Sequence, residues 1–492
     1  MRRYFMLKIT ICALFFILCP SVTGISATEC DEPQADNITG LSQLSVSGFN
    51  LPWVLTDQDN GTYTAATSEG NIAIFNEEGI GSIYLIFDRI PPAWQVTDIE
   101  TGRTIDFEQA GFLHTYVDLE ESFGYIPLHL SIQFSAGVSI AEIYVFSEGN
   151  APEWVQKWLP PCSSADLLLL SSHADDEQLF FAGILPYYAG ELGYQVQVIY
   201  LTSHFFNTHI RPHEQLDGLW AVGVRNYPII SDFPDLYSES MEEALEQYER
   251  YGYQYTDFVA FITENLRRFK PLVVVSHDIK GEYGHGTHIL CTEALRESLQ
   301  LCLDPKAYEA SADKYGTWEP KKTYLHLYPE NKIVMDWDIP LDKFGGKTAF
   351  QMSQEGFSYH TSQHWTWFNK WLNGTQANPV RKAAEISVYS PCLYGLYQTT
   401  VGYDRYGGDF FENIDLHISN ETEIISDTIS VSESITEPDT SQTEACSEMT
   451  LNEQNEKSNS YLFVIALPIV ALIITLVLVF LAVRQKKREQ YL

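Results

Sequence analysis

The chain has 492 residues and a formal net charge of −35 at neutral pH, with 45% hydrophobic and 13% aromatic residues. It is longer than one typical domain, so we expect two folded units with accessory segments. The acidic charge excludes nucleic-acid binding through phosphates, which requires a basic surface, whereas a neutral sugar is compatible with it.

The first 27 residues are predicted to be a signal peptide. Basic Arg2, Arg3 and Lys8 precede an apolar run from Ile9 to Leu18, and small residues follow up to Ala27. The apolar run is too short to cross a bilayer comfortably. The mature chain is therefore expected outside the cytoplasm.

Disulfide bonds are permitted in that compartment. Cys30 and Cys162 bracket the next segment and can tie its ends together. Cys291 and Cys302 are not expected to pair if one helix carries both, because eleven residues of helix span about 16 Å.

Residues 30–150 are predicted to form an all-β sandwich, an accessory domain. Short β-branched or aromatic runs alternate with Asp, Asn and Gly turns, which is typical of a sandwich. The runs lie at 63–65, 72–75, 82–87, 128–134 and 140–146. With the turn at 55–61, they loosely resemble a discoidin-like (galactose-binding-like) domain. A glycan-binding module and a plain spacer both remain open, because fold alone does not fix function.

Residues 151–164, which contain Pro160-Pro161, are predicted to be a linker, and residues 165–411 an α/β domain. Apolar strands alternate with helices in this domain, which predicts a doubly wound, mostly parallel sheet. Strands are predicted at 166–172, 196–203, 228–231, 272–276 and 323–328, and helices at 177–190, 212–222, 238–250, 255–269 and 288–300.

The C-terminal part changes composition three times. Residues 343–409 are rich in aromatic side chains, which suit packing on sugar rings or in a core. Residues 412–460 are acidic and rich in Ser and Thr, which predicts a disordered stalk. Residues 461–483 carry no charge and are long enough to cross a membrane, and the basic residues at 484–492 predict a cytoplasmic tail. The chain is therefore predicted to be a single-span cell-surface protein.

Two polar stretches follow apolar strands of the predicted sheet, at 171–177 and at 276–278 continuing through 281–288. The carboxyl ends of parallel strands meet at one edge of a sheet, so the two stretches are expected to form one site. Asp-Asp-Glu is also ordinary composition for a helix start, and His-x-x-His arises by chance. The occurrence of both after apolar strands favours a functional site.

A hydrolytic metal site needs a few ligands, an open position for water and a nearby base. His173, Asp176 and His288 are candidate ligands, Asp175 is the candidate base, and His285 can polarise the carbonyl under attack. Thr287 is predicted to cap the following helix. His288 then lies in its first turn, where the helix dipole is expected to keep the imidazole neutral and free to ligate.

These stretches resemble the signature of the PIG-L/LmbE-like N-acetylglucosaminyl deacetylases, a zinc-dependent family with a Rossmann-like fold. The family motif His-Pro-Asp-Asp-Glu aligns with residues 173–177, and Tyr-Gly-His-Pro-Asp-His aligns with residues 283–288. The resemblance implies that His173, Asp176 and His288 bind Zn²⁺, that Asp175 is the general base, and that His285 stabilises the oxyanion. Two imidazoles and a carboxylate also suit iron or cobalt.

Two weaker similarities extend the resemblance to roughly residues 165–410. Arg211 and Glu214 resemble the Arg-x-x-Glu helix of the family, and Lys347 with residues 360–363 resembles a further segment. Arg211 and Asp278 are candidate substrate-binding residues.

Two positions depart from the family pattern. Ala174 replaces a Pro, which is expected only to loosen the loop. Thr287 replaces an Asp that lies beside the catalytic histidine in the family. The missing carboxylate is expected to lower the pKa of His285 and to weaken the electrophilic role of this histidine. His204 and His209 follow the second strand without motif support and are interpreted as loop residues.

The predicted function is metal-dependent hydrolysis of the N-acetyl group of an N-acetylglucosamine-type sugar, on a glycan or glycoconjugate substrate. The alternative is a cell-surface glycan-binding protein with an inactive deacetylase-like domain, motivated by Thr287 and by the β domain. Metal content separates the two, because an intact ligand set predicts about one bound metal ion per chain. The other expected partner is a membrane, through the single C-terminal span.

Overall fold

A computed structural model describes residues 33–108, 111–204 and 208–416, all within one compact unit. The predicted signal peptide, transmembrane segment, cytoplasmic tail and the stalk beyond residue 416 lie outside the described residues. Within the described ranges, no helix combines the length and apolar character needed to cross a membrane.

The N-terminal part of the described chain is a β region with one short helix. Its elements are β1 (Gln43–Phe49), β2 (Thr64–Phe75), β3 (Ser82–Phe87), β4 (Trp94–Asp98), β5 (Thr104–Phe107), β6 (His114–Asp118), α1 (Leu119–Phe123), β7 (His129–Phe134) and β8 (Val138–Phe146). They form one antiparallel sheet in the order β5-β4-β7-β2-β8-β3-β6, with β1 also paired to β2.

Strand β2 corrects the sequence prediction, because the runs at 63–65 and 72–75 belong to one twelve-residue strand. Its first residues pair with β8 and its last residues pair with β7. Strand β2 thus joins the two halves of the sheet. Strands β1, β4, β5 and β6 were not predicted. In β1 and β5, most side chains are exposed or half-buried and the strands lack a strong apolar pattern.

The second part of the chain is a mixed α/β region. Its elements are β9 (Leu167–Ser171), α2 (Asp176–Leu179), β10 (Val196–Tyr200), α3 (Arg211–Ala221), β11 (Ile229–Ile230), α4 (Met241–Arg250), α5 (Tyr255–Phe269), β12 (Val273–Ser276), α6 (Gly286–Leu301), α7 (Glu309–Tyr315), β13 (Lys322–His326), β14 (Lys332–Val334), α8 (Ala349–Ser358), α9 (Trp367–Asn373) and β15 (Leu393–Thr399).

The seven strands have the order β11-β10-β9-β12-β13-β15-β14. Adjacent strands within β11-β10-β9-β12-β13 are parallel, and β15 is antiparallel to both β13 and β14. Every residue of β9 and β12 is buried, as expected for strands covered on both faces. Because β9 and β12 are adjacent, the two polar stretches that follow them meet at one edge of the sheet.

The predicted helix at 177–190 is wrong. Helix α2 ends at Leu179, and a π-helix spans Leu185–Glu191. Between them, Gly183 has a φ of 94°, and a Cβ at this position would lie 2.3 Å from the Trp337 ring. The close approach of Trp337 therefore requires glycine in a conformation that interrupts the helix.

The β region packs on α3 through buried polar groups. The His114 ring makes contacts at both nitrogens, lying 2.8 Å from the Tyr84 hydroxyl and 2.9 Å from His213 Nδ1. The Tyr227 hydroxyl accepts the backbone N–H of Leu113 at 3.2 Å. These contacts fix the β region against the helix that carries Arg211.

The described cysteines are all buried, and within the described ranges no two of them form a disulfide. Cys291 and Cys302 remain unpaired, as expected. Cys30, the partner proposed for Cys162, lies outside the described residues.

Candidate active site

Three side-chain atoms that could bind a metal, one from each predicted ligand, lie close together beyond the carboxyl ends of β9 and β12. His173 Nδ1 lies 3.1 Å from both Asp176 Oδ2 and His288 Nε2, and Asp176 Oδ2 lies 3.3 Å from His288 Nε2. Ligands about 2.0 Å from a tetrahedral zinc ion are separated by about 3.3 Å. The spacing of His173, Asp176 and His288 therefore fits one face of a zinc coordination sphere.

Hydrogen bonds decide which lone pairs are available to a metal. His288 Nδ1 donates to Glu282 Oε2 at 2.6 Å, so the Nε2 lone pair is directed at the other two candidate ligands. His277 also lies close to Asp176 and His288. However, its Nε2 accepts the backbone N–H of Ser172 at 2.9 Å, so His277 has no free lone pair for a metal.

Glu282 is the centre of a buried cluster of histidines. Besides His288, its carboxylate accepts from His277 Nδ1 at 2.8 Å and from His326 Nδ1 at 2.6 Å, and it also accepts the backbone N–H of Asp278 at 3.1 Å. Burial opposes ionisation, but these histidines hold the pKa of Glu282 well below its usual range. Glu282 therefore supplies a fixed negative charge directly behind a candidate ligand.

The carboxylates around His288 favour a positive charge at the site. Burial lowers the pKa of His288, but Asp176 and Glu282 outweigh burial and raise that pKa to about 10. The expectation that the helix start keeps His288 neutral is therefore wrong for the free ring, since two adjacent carboxylates exceed the effect of the dipole. A proton or a metal ion can supply the positive charge, and a metal ion would displace the proton on Nε2.

Asp175 is held in a strained conformation beside the candidate ligands. Its φ is 125°, which side chains rarely adopt, and its backbone N–H donates to Glu177 Oε2 at 2.9 Å. Its carboxylate lies 3.6 Å from the Arg211 guanidinium. Burial raises the pKa of Asp175 to about 7, although the Arg211 charge opposes the shift.

His285 begins helix α6. Its Nδ1 accepts the backbone N–H of Thr287 at 3.2 Å, so His285 is the N-cap and the prediction that Thr287 caps the helix is wrong. Burial, together with His173 and His288, lowers the pKa of His285 to about 2. The ring is therefore neutral, and since Nδ1 is an acceptor, the proton lies on Nε2, where it can be donated to an oxyanion.

His204 is part of the site rather than a peripheral loop residue. Its Nε2 accepts the backbone N–H of Ala174 at 2.9 Å, and its Nδ1 lies 3.1 Å from Asp235 Oδ2. The other oxygen of Asp235 lies 3.5 Å from His173 Nε2. The Asp235 carboxylate therefore faces both rings. His209, by contrast, is partly exposed and pairs with Asp88 of the β region.

The two candidate substrate-binding residues have different surroundings. The Arg211 guanidinium donates to the carbonyl of Ala174 and faces Asp175, so it contacts the catalytic loop. The Asp278 carboxylate accepts the backbone N–H of Lys280 at 3.3 Å and has its pKa raised by burial. Its backbone, not its side chain, reaches the Glu282 cluster.

Glu214, from the weaker Arg-x-x-Glu similarity, connects α3 to residues 360–363. Its carboxylate accepts from the Thr361 hydroxyl at 2.6 Å and from the backbone N–H of Ser362 at 2.8 Å. Lys347 pairs instead with Glu355 at a half-exposed position. The two segments that extend the resemblance are therefore joined in space through Glu214.

Sequence reasoning missed Asp235, Glu282 and His326 and assigned no role to His277. His277 directly follows β12, and Glu282 directly precedes the second motif, so position was a usable signal for these two. Asp235 and His326 come from other strand ends, and no local pattern marks them.

Comparison with known proteins gives a family match over part of the chain. Residues 168–299 match the family PIG-L, described as GlcNAc-PI de-N-acetylase. The 1D-myo-inositol 2-acetamido-2-deoxy-alpha-D-glucopyranoside deacetylase 1 of Catenulispora acidiphila is 24% identical over 196 residues, covering 35% of this chain and 59% of that relative. The chain thus matches less than two thirds of the length of this curated relative.

Solved structures are similar at low identity. The N,N'-diacetylchitobiose deacetylase from Pyrococcus horikoshii is 16% identical with a TM-score of 0.33, covering 54% of this chain and 91% of that chain. A conserved protein from Thermus thermophilus is 17% identical with a TM-score of 0.29, covering 40% of this chain and 79% of that chain.

The mixed α/β fold and the convergent His and Asp side chains define a protein with a candidate metal site of hydrolytic type. The chain carries a PIG-L family domain at residues 168–299, which confirms the resemblance seen in its motifs.

Proposed function

We propose that the protein is a metal-dependent deacetylase that hydrolyses the N-acetyl group of an N-acetylglucosamine-type sugar. The observation that carries the proposal is the convergence of His173 Nδ1, Asp176 Oδ2 and His288 Nε2 within 3.1 to 3.3 Å, with Asp175 and His285 beside them. The PIG-L match and the curated deacetylase relative support the same reaction.

The site residues fit a divalent metal ion, and Zn²⁺ suits two imidazoles and one carboxylate. When bound, such an ion supplies Lewis-acid polarisation of the acyl carbonyl and acidifies the attacking water. His173, Asp176 and His288 would hold it. Glu282 orients His288 through Nδ1, the nitrogen that faces away from the metal position, and the Asp235 carboxylate faces His173 Nε2 at 3.5 Å.

The chain's own residues perform the proton transfers. Asp175 accepts the proton of the attacking water and returns it to the leaving amine, which requires a carboxylate fixed beside the site. The Arg211 guanidinium and the Glu177 contact hold Asp175 in place. His285 donates a hydrogen bond from its Nε2–H to the oxyanion of the tetrahedral intermediate and keeps its proton, because the neutral ring acts as a hydrogen-bond donor rather than as an acid or a cation.

The test is acetate release from N-acetylated sugars by the purified full-length protein. We expect release in the presence of zinc, loss on treatment with a chelator, and recovery when zinc is added back. Asp175→Asn is expected to lower kcat by about 10²- to 10⁴-fold, the usual contribution of a general base. Asp313→Asn, on the exposed face of α7, is the matched control and is expected to retain activity.

Two results would contradict the proposal. One is acetate release that is identical in the wild type and Asp175→Asn. The other is the absence of release from every N-acetylated sugar tested while one metal ion per chain is bound, which would favour the alternative of a glycan-binding protein with an inactive domain.

Three further proposals rest on the sequence. We propose that the adjacent strands β11, β10, β9, β12 and β13 belong to a doubly wound, Rossmann-like fold spanning 165–411, and that residues 30–150 form a sandwich domain packed against it. We also propose that the catalytic region lies on the extracytoplasmic side of a membrane, anchored by residues 461–483. Protease digestion of intact cells, which should release the catalytic region by cleaving within 417–460, tests this location.

A further inference from the structure

Four rings of the candidate site form a row of successive contacts, in the order Tyr237, His285, Tyr283 and Trp367. Tyr237 lies 5.1 Å from His285, His285 lies 5.5 Å from Tyr283, and Tyr283 lies 5.8 Å from Trp367, all between ring centroids. Successive rings are nearly perpendicular, with interplanar angles of 89°, 86° and 86°. The proposed oxyanion donor His285 therefore contacts two aromatic rings, those of Tyr237 and Tyr283.

The two ends of this row are exposed, whereas its centre is buried. Tyr237 is 63% exposed and Trp367 is 47% exposed, but His285 is only 5% exposed. Core aromatic residues of the same region, such as Phe180, are fully buried. Tyr237 and Trp367 are thus aromatic surfaces that the described fold leaves open beside the reacting position.

Contacts with α6 fix the end of the row that carries Tyr237. The Thr287 hydroxyl donates to the carbonyl of Leu236 at 3.2 Å, and the backbone N–H of Gly286 donates to the carbonyl of Ser238 at 2.9 Å. A Cβ at Gly286 would lie 2.0 Å from the carbonyl oxygen of Ser240, so only glycine permits this approach. Residues 286 and 287 therefore hold Tyr237 from both flanks.

Aromatic packing fixes the end of the row that carries Trp367. The Trp367 ring lies 4.2 Å from the Phe368 ring and 6.3 Å from the Trp371 ring. Tyr283 itself has a φ of 47°, a conformation that side chains rarely adopt and that turns its ring into the row between Gly281 and Gly284. Both exposed rings are thus held by packing and by backbone contacts.

We propose that Tyr237 and Trp367 bind the sugar rings on either side of the N-acetyl sugar that reacts, so that the substrate is a neutral oligosaccharide chain rather than a single sugar. This inference rests on the proposed deacetylase function. Aromatic faces pack on the C–H face of a pyranose ring, and the net charge of −35 disfavours an anionic chain. An aromatic surface on each side of His285 is what an internal unit of a chain requires.

The test compares N,N′,N″-triacetylchitotriose with N-acetylglucosamine as substrates of the zinc-loaded full-length protein. Tyr237→Ala and Trp367→Ala are each expected to raise KM for the trisaccharide about three- to tenfold, and to change KM for the monosaccharide by less, because the monosaccharide has no flanking sugars. Trp367→Phe retains an aromatic face and is expected to restore most of the affinity. Tyr251→Ala is the matched control, because Tyr251 is 61% exposed at the end of α4.

Equal losses on both sugars would overturn the proposal, since the two rings would then shape the catalytic centre itself. Unchanged KM for the trisaccharide in both variants would overturn it as well. If the wild type hydrolyses neither sugar, the proposed function fails, and calorimetry still tests the aromatic row. In an Asp175→Asn background, Tyr237→Ala and Trp367→Ala should each weaken trisaccharide binding, and undiminished binding would reject the row as a sugar site.

Thr287 gives an independent test of the same arrangement. Thr287→Val removes the hydroxyl that holds Leu236 while preserving the side-chain shape, so it should raise KM for the trisaccharide in the same way as Tyr237→Ala. Thr287→Ser retains the hydroxyl and should behave as the wild type. If Thr287→Val and Thr287→Ser have the same KM for the trisaccharide, the hydroxyl does not position Tyr237.

Discussion

Each of the two regions of the molecule contains a completely buried glutamate, Glu142 in one and Glu282 in the other, and these two carboxyl groups have opposite electrostatic surroundings. Glu142, on β8, and Glu282, before α6, are both 0% exposed. Burial, with the neighbouring Asp57, raises the pKa of Glu142 to about 8, whereas that of Glu282 lies well below its usual range despite burial. Burial alone therefore does not set the charge of a carboxyl group.

The partners of each carboxyl explain the difference. Glu282 accepts from three histidines and a backbone N–H, so its negative charge is balanced. Glu142 accepts the backbone N–H of Asp59 at 3.0 Å and interacts with Asp57, a group of like charge. Folding thus favours the ionised form of Glu282 and the neutral form of Glu142. The same substitution, Glu→Gln, should therefore have opposite consequences in the two regions.

The largest effect is expected from Glu282→Gln. A Gln amide can accept at one end only, so at least one histidine of the cluster loses its acceptor. We expect about a 10- to 100-fold loss of zinc affinity, measured by competition with a chelator, and a fall of about 3–5 kcal/mol in the free energy of unfolding at pH 7.

The pH dependence of Glu282→Gln follows from the sign of the shift. Because the folded pKa is lowered, the stabilisation is present above the unfolded pKa of about 4.5 and is lost as the pH falls. The difference between variant and wild type should therefore shrink in acid. A zinc affinity equal to that of the wild type would show that Glu282 does not orient His288.

An intermediate effect is expected from His326→Phe, which removes one donor from Glu282 and keeps an aromatic ring at this position. The His326 ring lies between two acceptors, Glu282 Oε1 at 2.6 Å and the Ser390 carbonyl at 2.9 Å. We expect a loss of about 1.5–3 kcal/mol in the free energy of unfolding, the usual value of a hydrogen bond to a charged group. Zinc affinity should fall by less than in Glu282→Gln, because His288 keeps its acceptor, and an equal fall would contradict this ranking.

The same contrast shows what sequence can and cannot predict. The bounds predicted for α5 match the structure because its amphipathic pattern is local, and the two motifs meet because β9 and β12 are adjacent buried strands. His173, Asp175 and His288 could be found because each belongs to one of these motifs. Their partners could not all be found this way, since His326 reaches Glu282 across 44 residues of sequence.

Errors in the predicted elements have similar causes. The interruption after α2 depends on Trp337, which packs on Gly183 from a distant segment. Strand β15 was missed because its aromatic residues were interpreted as packing on sugar rings or in a core, and its pairing with β13 is a tertiary contact. Local patterns thus predicted the parallel strands, whereas interactions between distant segments decided the remaining features.

The smallest effect, and the sharpest test of the contrast, is expected from Glu142→Gln. Because the folded pKa is raised to about 8, the wild type is progressively destabilised, relative to a neutral side chain, as the pH rises from about 4.5 towards 8. In EDTA at pH 8.5, the variant should therefore unfold at a temperature at least about 2–4 °C higher than the wild type, the shift that 1 kcal/mol produces in a domain of 150–250 residues. The two melting temperatures should converge at pH 4.5.

Glu148→Gln, at an exposed position just after β8, is the matched control and should show no such pH-dependent gain. A lower melting temperature for Glu142→Gln at pH 8.5 would mean that the β region stabilises the ionised carboxylate, as the histidine cluster does for Glu282, and the contrast between the two regions would be wrong.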